Sequence, residues 1–260
     1  MRQIDPRLRG KAAKASPGGS RAPAVANALL LGLSRKDSEK VFSKLEFKKL
    51  PVRSVLNEMA KPIEFGYFIN RGLASVLSVM KDGKSVEVGL TGTEGFVGVP
   101  LVVGLKTSPT RVIMQVGGSG FRVRAKDLKG ILQYCKPLET GLLRYAQELA
   151  MQAAQVAACN RLHEVAERLA RWLLMSQDRL GGDLVPLTQE FLAHMLGTRR
   201  ASVTIAAGIL QKAGLITYTR GAVKIEDRSN LEDAACECYA ALVRQMRTWR
   251  DEGKELRPTA

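Results

Sequence analysis

The sequence predicts an α+β chain: a small rolled antiparallel sheet, then a long helix with a dimerisation seam, then a C-terminal winged helix-turn-helix. Three observations carry this. From Phe47 to about Lys126, short alternating apolar runs are separated by glycine-rich turns. After Pro137, apolar residues recur at alternating steps of four and three. Leu187–Asp227 then reads helix, turn, helix, hairpin.

The 260 residues are enough for two modest domains, and 45% hydrophobic with 25% charged residues describes a globular chain rather than a disordered one. A net charge of +15 points toward polyanions, because lysine and arginine release the counterions condensed on phosphates. The charge is uneven. Residues 161–260 carry 15 basic and 13 acidic side chains, yet no acid lies between Glu190 and Glu226.

Residues 1–24 are rich in Arg, Lys, Gly, Ser and Pro and are expected to form a disordered basic tail. Val25–Leu33 is too short to span a membrane and lacks a cleavage-site pattern, so it reads as an amphipathic helix and no export is expected. The rolled sheet is assigned to 25–136. Its clearest hairpin joins Val76–Met80 to Val86–Leu90 through Asp82-Gly83, a pair suited to the positive φ angles of a tight turn.

Pro137 opens the long helix, assigned to 137–159, where its missing N–H costs nothing. Leu142, Ala146, Leu149, Ala153 and Val156 form the dimer seam; a helix packed on its own domain is the alternative. Asn160 is the expected hinge to the C-terminal domain, 160–228, whose first helix is read over Leu162–Met175. A helical extension, 229–260, contains Arg244, Arg247 and Arg250 and either packs on that domain or lies solvated.

In the motif, Thr188 caps the first helix and Gly197 makes the turn. Thr198 caps the recognition helix, 198–212, whose Val203, Ala206, Ala207 and Leu210 face inward. Arg220-Gly221 is the wing tip. A helix fits the major groove of DNA with its N-terminal side chains against base edges. Thr198, Arg199, Arg200, Ser202 and Thr204 lie at that end; Thr188, Gln189, Arg220 and Lys224 are placed for phosphates. A helical hairpin without a DNA role is the alternative.

Cys135, Cys159, Cys236 and Cys238 show no C-x-x-C spacing, which fits a reduced cytoplasm. Cys236 and Cys238 are two apart, which on a helix turns them to different faces, so no metal is expected. Nucleotide-loop, zinc-protease and hydrolase-elbow motifs are lacking, and no enzyme activity is expected.

On these residues the chain resembles the Crp/Fnr family of bacterial transcription regulators over about residues 27–228. The strongest stretches are Leu187–Asp227 and Glu164–Ala170, with Tyr67–Gly72, Asp82-Gly83 and Glu94–Gly98 similar to the family's sensor. The resemblance implies a cupin-like β-roll of the cyclic-nucleotide-binding type, a homodimer joined through the helix after Pro137, and double-stranded DNA as partner. RNA polymerase is a further candidate partner.

Two departures qualify it. Family members that bind cyclic AMP carry Gly-Glu followed by Arg-Ser/Thr-Ala, whereas here Val99-Pro100 follow Gly98 and the later segment reads Thr110-Arg111-Val112. The glutamate is missing, so cyclic AMP is not the expected effector; Gly98 and Arg111 remain as ligand-binding candidates. In the recognition helix the family's Arg-Glu-x-x-x-Arg becomes Arg200-Ala201-Ser202-Val203-Thr204-Ile205, which changes the expected target. With no cysteine in the N-terminal third, and His163 and His194 the only histidines, neither an iron–sulfur nor a haem cofactor is expected. A small-molecule-binding module with a non-functional helix-turn-helix is the competing reading.

Overall fold

The computed structural model describes residues 24–219 and 221–255; the expected basic tail lies, apart from Ala24, outside them. Two short helices, α1 (Ala28–Leu31) and α2 (Arg35–Phe42), lead into six strands: β1 (Glu46–Leu50), β2 (Val55–Asn57), β3 (Phe65–Val79), β4 (Ser85–Thr91), β5 (Phe96–Val97) and β6 (Arg111–Arg124). All pairings are antiparallel, in the order β1-β6-β3-β4, with β2 on β6 and β5 on β3.

The long strands β3 and β6 bend together at register shifts between Ile69 and Ala74, which curl the ribbon into a roll. Glycine is required there. A Cβ on Gly118 would stand 2.0 Å from the Arg71 carbonyl oxygen, and Gly72 holds φ at +91°. The Asn27 side chain caps α1 and donates to the carbonyls of Ile69 and Gly95 at 2.9 and 2.8 Å, fixing the N-terminal helix to the roll.

A 3-10 turn over Val99–Val103 precedes β6; α3 (Ala125–Tyr134) and α4 (Lys136–Leu162) follow. At 27 residues α4 is about 40 Å long. Leu138, Leu142 and Tyr145 join Phe68, Phe96 and Phe121 in the core under the roll. The Tyr145 hydroxyl meets Thr91 Oγ1 at 2.7 Å, and Gln152 accepts from the Leu90 N–H.

α4 runs through Asn160, so the expected hinge is displaced. The break falls at His163 and Glu164, and Glu164 with Glu167 forms a capping box that starts α5 (Val165–Leu180) afresh. After the left-handed Gly181 come β7 (Leu184–Pro186), α6 (Gln189–Met195), α7 (Arg200–Lys212), β8 (Ile216–Thr219) and β9 (Ala222–Ile225). The order β7-β9-β8 makes a three-stranded wing. α8 (Arg228–Asp233) and α9 (Cys238–Glu255) close the chain.

One apolar core is continuous from Leu73, Leu77 and Leu90 of the roll to Trp172, Leu192 and Val203 of the C-terminal half. The extension packs rather than floats: Tyr239 and Leu242 of α9 are buried in that core, and Gln155 of α4 donates to Cys238 Sγ at 3.1 Å. Among the described residues no helix is long and apolar enough to cross a membrane.

The predicted dimer seam is turned inward. Leu142 and Val156 are buried within the chain, Leu149 packs on the roll, and Ala146 and Ala153 flank them half-buried. A second seam, offset by one residue, points outward: Leu143, Gln147, Ala150, Ala154 and Ala157 are exposed at the same steps of four and three. The larger side chains took the intramolecular core because they bury more apolar area there. The cysteine reading is corrected too. Cys236 lies in the turn before α9 and only Cys238 is helical, so the two are not splayed by a helix; both are buried, and their sulfurs converge on one point.

Candidate nucleic-acid interface

Thr188 caps α6, its hydroxyl accepting from the Phe191 N–H at 3.2 Å. Leu192, Ala193 and Met195 bury the inner side of the helix. Gly197 takes φ +58° to make the turn, and the Thr198 N–H returns to the Ala193 carbonyl at 3.0 Å. Thr198 does not cap α7. The extended residue before the helix is Arg199, which offers no side-chain bond to the first turn. The left-handed glycine carries the chain one residue further before it coils.

The N–H groups opening α7 have no side-chain cap and the first turn holds no acid, so the positive end of the helix dipole faces outward. Arg199 and Arg200 are exposed there and, among the described residues, enter no ion pair. Buried Val203, Ala206, Ala207 and Leu210 seat the other side of the helix on α5 and α6.

The outer face of α7 presents Arg200, Ala201, Thr204, Ile205 and Ile209, with Ser202 half-buried beside them. Ile205 and Ile209 stay 65% and 53% exposed, unusual for isoleucine and suited to apolar contact with thymine methyls. Ile209 escaped the sequence reading; its place four residues after Ile205, on the same face, is the signal that identifies it. Thr204 Oγ1 donates to Gln189 Oε1 at 3.0 Å, so the starts of α6 and α7 form one polar surface. Lys224 on β9 flanks it, held by Glu226 at 2.6 Å. Arg220 lies outside the described residues.

A cleft of about 880 Å3 separates this surface from the β3–β4 hairpin, with Lys84 and Val86 on one wall and Thr198, Arg199 and Arg200 on the other. Behind it the halves are locked together. Trp172 Nε1 donates to Glu87 Oε1 at 2.8 Å, and Arg179 pairs with Glu94 at 2.8 Å, both side chains almost wholly buried. Burial pushes the Glu87 carboxyl up to about 7, against the pull of its hydrogen bonds and of Arg171 and Arg179.

The cavity beside Gly98 in the roll is small, about 40 Å3, lined by Phe96, Thr110, Val112 and Leu149 among others. That holds a water or two, whereas ligand pockets run to roughly 300 Å3 and more. Gly98 borders the cavity in a left-handed conformation, φ +107°. Arg111 lies apart from it and pairs with Glu58 at 3.2 Å, so the two ligand candidates are not brought together.

Residues 167–234 match the model of the Crp-like helix-turn-helix domain. A search of curated protein sequences returns no match. Among solved structures, the chain is similar to a Crp/Fnr-family transcriptional regulator from Eubacterium rectale, with a TM-score of 0.64 at 15% identity over 80% of this chain and 98% of that one. It is also similar to FixK2 from Bradyrhizobium japonicum (TM-score 0.64, 14% identity, 74% and 98% covered). The c-di-GMP-responsive regulator CLP of Xanthomonas campestris gives a TM-score of 0.62 at 16% identity, with 75% and 100% covered. Residues 167–234 thus carry a match to a Crp-like helix-turn-helix domain, and the chain as a whole shares the fold of the Crp/Fnr-type structures.

Proposed function

We propose that the chain acts as a homodimer on double-stranded DNA, each copy laying the start of α7 in the major groove. The observation that carries this is the open, basic, acid-free beginning of α7, where Arg199 and Arg200 stand clear beside uncapped backbone N–H groups. Arg200 reads a guanine edge through paired hydrogen bonds, and Ala201 and Ile205 lie against thymine methyls. Thr188, Gln189, Lys224 and Arg220 hold phosphates and fix the register. A gel-shift titration over a salt series tests this: log affinity should fall with log salt, by about 0.9 per phosphate contact. Salt-independent or absent binding would remove the proposal.

The two copies meet along the outward seam of α4, where exposed Ala150, Ala154 and Ala157 allow close helix approach. Ala154→Glu should give a monomer by light scattering, with DNA affinity down at least tenfold; an intact dimer would place the interface elsewhere. The small cavity and the separation of Gly98 from Arg111 favour an effector other than a cyclic nucleotide in the roll. A regulator of this kind works in the cytoplasm and needs no catalytic residues; RNA polymerase is its natural further partner.

A further inference from the structure

At the junction of α4, α5 and α9, four side chains of metal-binding type converge. Cys159 lies in the last turn of α4, and His163, the extended residue that ends the helix, follows four residues later. Cys236, in the turn before α9, and Cys238, at its first residue, approach from the other side. Cys159 Sγ stands 3.4 Å from Cys236 Sγ, and Cys238 Sγ 3.5 Å from His163 Nδ1. All four ligand atoms lie within 4.8 Å of one another, and the three cysteines are buried.

We propose that Cys159, His163, Cys236 and Cys238 bind one zinc-class divalent ion, which ties the C-terminal extension to the hinge above the DNA-binding domain. Zinc–sulfur bonds of about 2.3 Å and zinc–nitrogen bonds of about 2.0 Å give a tetrahedron with edges of about 3.5–3.8 Å. The 3.5 Å separation of Cys238 and His163 lies on that edge and the 3.4 Å of Cys159 and Cys236 just inside it, and the group is too compact for an iron–sulfur cluster. Three thiolates and one imidazole fill a closed, structural site.

The surroundings fit independently. His163 Nε2 is 3.0 Å from the Glu237 carboxylate, an arrangement that puts the proton on Nε2 and leaves Nδ1 free to ligate. Gln155 Nε2 donates to Cys238 Sγ at 3.1 Å, a bond that favours the thiolate. Arg168 and Arg171 are buried beside the sulfurs, and among the described residues neither pairs with a carboxylate; each leaves its Nε without a partner. Two such cations need compensating negative charge, and a divalent ion with three thiolates carries one net negative charge. Binding would release the thiol protons to solvent, with no redox step.

The site lies at the α4 side of the break before α5, so an ion there would tie the end of α4 to the turn that opens α9. The test is cobalt(II), then zinc(II), titrated into the reduced full-length chain. One cobalt per chain should give thiolate-to-metal charge-transfer and tetrahedral d–d bands that zinc abolishes. Cys159→Ser and Cys238→Ser should weaken binding at least about 100-fold, and Glu237→Gln about tenfold. Cys135→Ser, in the sensor core, should leave the bands unchanged. Should the cysteine variants fail to fold, His163→Ala with circular dichroism gives the same reading: a folded chain with shifted, weaker bands. Absent cobalt bands, bands left unchanged in position and strength by Cys238→Ser or His163→Ala in folded protein, or a Cys159–Cys236 disulfide as the only chemistry would overturn the proposal. None of these readouts depends on DNA binding.

Discussion

The interior of the β-roll and the outer end of α7 face opposite tasks, and their side chains are arranged accordingly. The roll is closed: Phe96 is 1% exposed, Leu149 packs in from α4, and the cavity beside Gly98 measures about 40 Å3. The start of α7 is open, with two arginines, bare N–H groups and exposed isoleucines. Buried volume in the roll contributes stability, whereas the open groups of α7 face water and add little to it. That contrast between an open surface and a packed interior supports the proposed reading of α7 as the recognition surface.

The largest effect should come from opening the closed region. Phe96→Ala should destabilise the chain by about 3–5 kcal/mol in denaturant titration. A loss under about 1 kcal/mol would mean that the ring is not part of a filled core, and the contrast would fail. In the same assay, saturating cyclic AMP should leave the unfolding midpoint of the native chain unmoved; a rise would show a ligand site in the roll.

The next effect probes the boundary between the regions. Glu87 titrates at about 7 in the folded chain, above its ordinary value of 4.5, so the folded state holds the proton longer than the unfolded one. Stability from this group is therefore present below about pH 4.5 and lost as pH rises toward 7, by an amount on the order of 3 kcal/mol. Glu87→Gln keeps an acceptor for Trp172 without the charge, and should be more stable than the native chain at pH 8 with the decline flattened. A lower midpoint at pH 8 would show the carboxylate to be a favourable partner of the neighbouring arginines.

Smaller effects sharpen the open region. Arg200→Ala should reduce discrimination between cognate and scrambled DNA by about 1–3 kcal/mol. Lys224→Ala should weaken all sequences a few-fold alike and lower the salt slope by about one. Equal loss on both DNAs for Arg200→Ala would make it a phosphate contact.

How much of this the sequence revealed follows from the range of the interactions. Thr188, Gly197, Ala213-Gly214 and the hairpin around Gly221 are local signals, each decided by neighbours a few residues away, and the motif they mark is where the sequence places it. The cap on α7 was misplaced by one residue because a left-handed glycine leaves two capping registers open. The seam of α4 was harder. Two a/d patterns offset by one residue coexist, and only the roll packed against the helix decides which is inward. The cysteine cluster joins Cys159 to Cys236 across 77 residues, and its convergence depends on Cys236 standing before α9 rather than in it. No local spacing encodes that.

The account stands most directly on one measurement: affinity of the purified full-length chain for DNA selected from a random pool, taken across a salt series beside scrambled DNA. It predicts tight binding to the selected sequence, a steep linear loss with log salt, and a gap between the two DNAs that shrinks in Arg200→Ala. Affinity that ignores salt, or is the same for both DNAs in the native chain, would contradict it.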